Sequence, residues 1–231
     1  MLFKLLIFLL PVLFRDATCA PSQTTLFIRK YELDVNSSKI MQKDDRKLMQ
    51  KWADDFQIKR LDISMKYRLQ MVKHQEHSLG GNGNIEWVNC LYAHRKETRR
   101  TVRLYHDNEH ECLKTAASKD VTMRENVEQI EKQIANWRKG YRYLQNLCND
   151  EYVGNTKETH QCLVRYMQND NFDEVIHRLV LLKLGTMNDL YAYYNSSLLD
   201  LEECLKTQLS RYLERIRAVL DTLYKCYNIK T

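Results

Sequence analysis

The sequence predicts an all-α protein: a disulfide-stapled antiparallel helical hairpin or bent helical bundle, preceded by a separate N-terminal helix. Three observations carry that prediction. Helix breakers are scarce, with prolines only at positions 11 and 21 and three of the six glycines gathered in Gly80-Gly81-Asn82-Gly83. Apolar residues recur three and four apart over long stretches, and no stretch alternates with the period of two expected of a half-buried strand. The cysteines beyond position 19 are spaced as a mirror image: 22 residues from Cys90 to Cys112, 14 from Cys148 to Cys162, and 22 from Cys204 to Cys226.

Residues 1–19 read as a secretory signal peptide. Lys4 precedes an apolar run from Leu5 to Phe14, broken by Pro11, and the small residues Ala17, Thr18, Cys19 and Ala20 follow. The run is shorter than the ~20 residues needed to span a bilayer, and no later stretch approaches that length, so no transmembrane segment is expected. Cleavage after Cys19 or Ala20 leaves six cysteines. In an oxidising extracellular compartment an even number reads as disulfides, and the absence of C-x2-C argues against structural zinc and thiol-redox chemistry. Removing Lys4, Arg15 and Asp16 leaves 34 basic (36 − 2) and 29 acidic (30 − 1) side chains. That mild positive balance permits contact with anionic surfaces and gives no reason to invoke nucleic acid.

After the signal, residues 20–79 form an extension with one long helix. Residues 21–37 lack periodicity and are expected to be extended. Residues 38–78 carry apolar positions at Leu48, Trp52, Phe56, Met65, Leu69 and Val72, mostly three or four apart. The glycine run at 80–84 reads as a linker and a domain boundary. Residues 85–231 then form a six-cysteine helical domain. Met123, Val127, Ile130, Ile134, Trp137, Tyr141, Leu144 and Cys148 alternate steps of four and three, a coiled-coil-like stripe. The last helix repeats the pattern at Leu184, Met187, Tyr191, Tyr194, Leu198, Leu201, Leu205, Leu209, Tyr212, Ile216, Val219, Leu223 and Cys226. Its 4-4 step at Leu201–Leu205–Leu209 is a stutter. Thr122–Glu125 and Asn171–Glu174 look like helix starts, and Gly185 is a candidate break.

A step of 22 residues is close to six helical turns, so each outer cysteine pair projects from nearly one side of its helix. Two antiparallel helices then bring Cys90 to Cys226 and Cys112 to Cys204, with Cys148–Cys162 closing the turn. A parallel arrangement would give Cys90–Cys204 and Cys112–Cys226 and would need a long crossover. The inner arms, Cys112 to Cys148 and Cys162 to Cys204, differ in length by six residues, which favours a bend over a perfectly registered pair.

Four features are candidates for chemistry. His106-Asp107-Asn108-Glu109-His110 matches H-x-x-E-H, in which His106 and His110 would bind a metal and Glu109 would act as base. The match stands alone in an all-α chain beside Cys112, so it reads as fortuitous, and neither an enzyme nor a cofactor is expected. Arg95, Arg99 and Arg103 are four apart on one face, with Lys96 and Arg100 beside them. The plain expectation is a solvated face partnered by acids of the next helix; the functional alternative is an anion site for sulfated glycan, phosphate or acidic lipid. Asn36-Ser37-Ser38 and Asn195-Ser196-Ser197 are glycosylation sequons. Tyr193, Tyr224 and Tyr227 fall off the core stripe, at the rim or on a contact surface.

The stretch from Cys90 to Tyr227 resembles the TsetseEP-type domain, a secreted, cysteine-containing helical domain of insects. The resemblance rests on Cys90-x21-Cys112-Leu113, Leu147-Cys148, Cys162, the segment Asp189-Leu-Tyr-Ala-Tyr-Tyr-Asn195, and the spacing from Cys204 through Tyr212 to Leu223 and Cys226. It implies an extracellular insect protein of gut, salivary or reproductive secretions, and it brings no catalytic residues. The resulting expectation is a secreted non-enzymatic protein that binds an extracellular protein or glycan. Carriage of a small apolar ligand inside the bundle, and anion or glycan binding through Arg95–Arg103, stand as alternatives.

Overall fold

The computed structural model of the protein describes residues 22–80 and 84–230. The signal read over 1–19 and the middle of the glycine run, 81–83, lie outside them. Within the described residues the chain forms α1 (Gln23–Leu79), α2 (Ile85–Ala93), α3 (Arg95–Ala116), α4 (Asp120–Glu151), α5 (Thr156–Asn169) and α6 (Phe172–Lys230). No strand occurs among these residues. None of their helices is long and apolar enough to cross a membrane.

Local chemistry sets the helix ends. Ser22 Oγ accepts from the Thr25 N–H at 3.2 Å and opens α1. Asn84 does the same for α2, accepting from the Glu86 N–H at 2.8 Å, and Asn155 for α5, accepting from the Glu158 N–H at 3.3 Å. Asn171 precedes α6 at φ 47, a left-handed conformation that asparagine tolerates better than most residues. Gly185 breaks nothing; α6 runs straight through it.

The chain divides into two compact units, one formed by the residues up to Lys39 with Asn136–Ile176, the other by Ile40–Ala135 and the residues from His177 onward. The boundary expected at 80–84 is not where they part. Met71 of α1 and Trp87 and Cys90 of α2 share a core with Tyr105, Tyr212, Ile216, Val219 and Leu223, and Leu79 packs against it. Residues on both sides of the glycine run therefore belong to one interior. The Trp87 indole N–H also donates to the Leu79 carbonyl at 3.2 Å.

The second unit has two further cores. Met49, Ala53 and Phe56 of α1 meet Val127 of α4 and Met187, Leu190 and Tyr194 of α6. Tyr67 meets Cys112, Ala116, Leu201 and Leu205. In the first unit, Tyr31 stacks on Tyr141 and contacts Phe172, and the Trp137 indole donates to the Phe172 carbonyl at 3.0 Å. These contacts correct the expectation for 21–37: residues from Gln23 on are helical, because Ile28 and Tyr31 are buried. Two anchors, ten and seven residues before Ser38, are too few to read as a period, so tertiary packing decides the helix.

The disulfides are Cys90–Cys226, Cys112–Cys204 and Cys148–Cys162. Their distribution explains the imperfect mirror. The outer four cysteines lie in one compact unit, where both bridges join residues whose numbers sum to 316. Cys148 and Cys162 lie in the other, where α5 is a short helix of its own.

The stripe on α4 is buried as expected from Val127 to Cys148. The stripe on α6 holds from Tyr194 onward and at Met187 before it. Leu184 and Tyr191 are exposed, and the inward positions are Lys183, Met187 and Leu190. On α1 the reading is half right: Trp52, Phe56 and Val72 pack against the cores, whereas Leu48, Met65 and Leu69 are exposed and Met49, Ala53, Tyr67 and Met71 face inward.

Candidate functional site

The basic face predicted on α2–α3 is formed at the surface. Tyr105, Glu109, Cys112 and Ala116 turn the opposite side of α3 into the core. That fixes the rotation of the helix and leaves Lys96, Arg99, Arg100 and Arg103 exposed. Arg95 lies over the Tyr92 ring, 3.9 Å from its centroid, a stacking that holds a guanidinium without neutralising it. The acids expected to partner this face are absent: among the described residues Arg95, Lys96, Arg99, Arg100 and Arg103 have no ion-pair partner. Glu97, the one acid within the run, lies 3.5 Å from His94 Nδ1. The register of the two outer bridges puts Arg215 level with Thr101 and Arg217 level with Arg99 on α6. Both are exposed. By the same register the exposed Glu214 and Asp221 come level with Val102 and Arg95, so seven cations (Arg95, Lys96, Arg99, Arg100, Arg103, Arg215 and Arg217) stand against three acids with Glu97, and the field stays positive.

The H-x-x-E-H segment does different work. Glu109 is buried and points to α1, not to a metal position. Ser64 Oγ donates to its Oε1 at 2.6 Å, Arg68 donates to both oxygens at 3.0–3.2 Å, and His106 Nδ1 lies 3.2 Å from Oε2. Burial alone would raise the Glu109 pKa, but the hydrogen bonds from Ser64, Arg68 and His106 prevail and hold it below the usual carboxylate range. His110 is exposed on the far side. No group of three potential metal ligands gathers among the described residues.

Asn36 and Asn195 are both exposed, and both lie within helices, α1 and α6. Asn195 Nδ2 donates to the Tyr191 carbonyl at 3.1 Å. The third sequon residues, Ser38 and Ser197, are buried.

Two of the off-stripe tyrosines fasten α6 to chain turns, and the third packs beside them. The Tyr193 hydroxyl donates to the Ala116 carbonyl at 2.8 Å and accepts from the Lys119 N–H at 3.1 Å, bridging the α3–α4 turn. Tyr227 accepts from Asn84 Nδ2 at 3.0 Å, at the start of α2. Tyr224 packs against Trp87.

Two grooves of mixed polar and apolar lining lie in the second unit. One, of about 390 Å³, is bordered by Arg46, Gln50, Arg124, Glu128, Glu131 and Lys132, with Met49 and Ala53 in its wall. One of 220 Å³ runs beside the Cys112–Cys204 bridge past Asn108, Glu111, Ser197, Asp200 and Gln208. Sequence reasoning missed the charged cluster beneath the first groove. Lys183 is 1% exposed and lies 2.7 Å from Asp45 Oδ2 and 3.1 Å from Glu131 Oε1. Arg46 Nε donates to Glu131 Oε2 at 2.8 Å. The one available signal was a lysine among Leu181, Leu182 and Leu184, on a helix otherwise read as apolar on that side.

No family model, curated protein or solved structure matches this chain.

Proposed function

We propose that this is a secreted, non-enzymatic helical protein that binds an extracellular polyanion, a sulfated glycan, through the surface of α2–α3. The observation that carries the reading is the row of Lys96, Arg99, Arg100 and Arg103, exposed, with the half-buried Arg95 beside them, all without ion-pair partners among the described residues. Unpaired guanidinium groups suit sulfate because each offers a planar fork of donors. Three disulfides fit an oxidising extracellular setting. The resemblance of Cys90–Tyr227 to a secreted insect domain points the same way. Carriage of an apolar ligand is less well supported, since these grooves, of about 220 and 390 Å³, are open at the surface and edged by charged side chains such as Glu111, Asp200, Arg46 and Lys132.

The test is elution of the mature protein from immobilised heparin. Arg99→Glu with Arg100→Glu should elute at clearly lower salt than the unaltered protein, with an unchanged thermal midpoint because both side chains are exposed. Equal elution would refute glycan binding by this face. Retention on anionic vesicles but not on heparin would redirect the reading to acidic lipid.

A further inference from the structure

α1 is apolar on two sides. Phe56, Tyr67 and Met71 are buried in the cores of the second unit. Roughly opposite them, Ile58, Leu61, Met65 and Leu69 are 57%, 62%, 60% and 51% exposed. With Val72, which is partly buried and packs against the Met71 core at the edge of this face, they lie within about 80° of one another at 100° per residue. Isolated exposed apolar residues are ordinary, but four of them in a row along one helix face, over about three turns, mark an interaction surface.

The spacing identifies the occupant. From Ile58 to Val72 the steps are three, four, four and three, a palindrome centred on Met65. An antiparallel copy of the same helix would place Ile58 against Val72, Leu61 against Leu69 and Met65 against itself, apolar on apolar throughout. The flank that carries Asp55, Asp62, Lys66 and Lys73 is self-complementary in that register. A two-fold axis perpendicular to the helix pair sets each flank against its own copy, so Asp62 comes within two residues, about 3 Å along the axis, of Lys66 of the second copy, and Asp55 equally near Lys73. All four are exposed. Lys66 also reaches Glu202 of its own chain at 2.6 Å, an exposed pair that leaves most of its donors available. A parallel pairing would instead face this flank with Gln57, Gln75 and Arg68, and Arg68 is engaged by Glu109.

We propose that the protein self-associates as a two-fold dimer through the Ile58–Val72 face of α1, with the helices antiparallel and Met65 at the axis. A single helix pair buries less than a standard interface of ~1,200–2,000 Å², so the dimer is weak, on the order of 10–100 µM.

Sedimentation equilibrium of the mature protein over a range spanning that concentration tests the proposal. The average mass should rise from one chain toward two. Leu61→Arg with Met65→Lys should weaken association by about 30-fold or more while leaving the circular-dichroism melt unchanged. Asp55→Lys and Lys73→Asp should each weaken the dimer singly, and combining them should restore it. A Met65→Cys variant should form an interchain disulfide under oxidation, and an Ile58→Cys variant should not. A chain that stays monomeric at all concentrations overturns the proposal, as does a dimer indifferent to the Leu61/Met65 pair. Failure of the double charge swap to recover association overturns the antiparallel register.

Discussion

Lys183 and Glu131 face each other at 3.1 Å, each with a side chain only 2% exposed. They join α6 to α4 inside the second compact unit, and Asp45 and Arg46 of α1 complete the cluster. Two charges this far from water persist only because each is multiply partnered. Lys183→Met removes both of its ion pairs and leaves Glu131 with Arg46 and Gln42 alone. The expected loss is about 3 kcal/mol or more, read from urea unfolding at pH 7. An unchanged midpoint would show that the cluster contributes no net stability.

Acid should unfold the protein through two carboxylates. At Glu131 burial alone would raise the pKa, but Arg46, Lys183 and Gln42 outweigh it and hold the group below its ordinary value of 4.5; Glu109 behaves likewise. A carboxyl whose folded pKa is depressed contributes stability that is complete above its unfolded value and is lost as pH falls through the folded one. The melting temperature should therefore be flat down to about pH 5 and fall below the ordinary carboxylate range. Glu109→Gln should lower the plateau and flatten the acid limb. Melts across pH 2–7 check both effects, and an acid limb that keeps its slope in the variant counts against Glu109 as a source.

The three bridges should differ in strength. Cys90–Cys226 closes a separation of 136 residues, Cys112–Cys204 one of 92, and Cys148–Cys162 one of 14. In the chain-entropy account a loop of ~100 residues is worth about 4.7 kcal/mol and one of ~15 about 3 kcal/mol. Replacing Cys148 and Cys162 by alanine should thus be tolerated better than replacing Cys90 and Cys226. Denaturant titration of the two variants tests the order, and peptide mapping without reduction tests the pairing itself.

Tyr193→Phe removes one hydroxyl that serves two backbone groups of the α3–α4 turn, the Ala116 carbonyl and the Lys119 N–H. The expected cost is about 1–2 kcal/mol, with faster amide exchange at Lys119. Exchange at Lys119 as slow as in the unaltered protein would mean that the bond does not protect the turn.

Much of the fold was legible in the chain because its signals are local or periodic. Scarce breakers predict helices, and a 22-residue cysteine step predicts matching rungs on an antiparallel pair. The α4 stripe from Val127 to Cys148 followed directly from its spacing. The candidate site was legible in part: Arg95 to Arg103 could be placed on one face, but whether acids of another helix covered it could not be read from one helix alone.

Sequence by itself determined that this protein is helical, that its cysteines are spaced for paired rungs on two helices, and that its basic residues gather before Cys112; the structure chose the nested pairing over the parallel one. Tertiary structure decided which side of α1 faces inward, because Met49, Tyr67 and Met71 on one face and Leu61, Met65 and Leu69 on the other offer burial of similar value. It likewise decided that Lys183 lies inside and Leu184 outside, since a charge joins a core only where Asp45 and Glu131, far away in the chain, arrive to receive it.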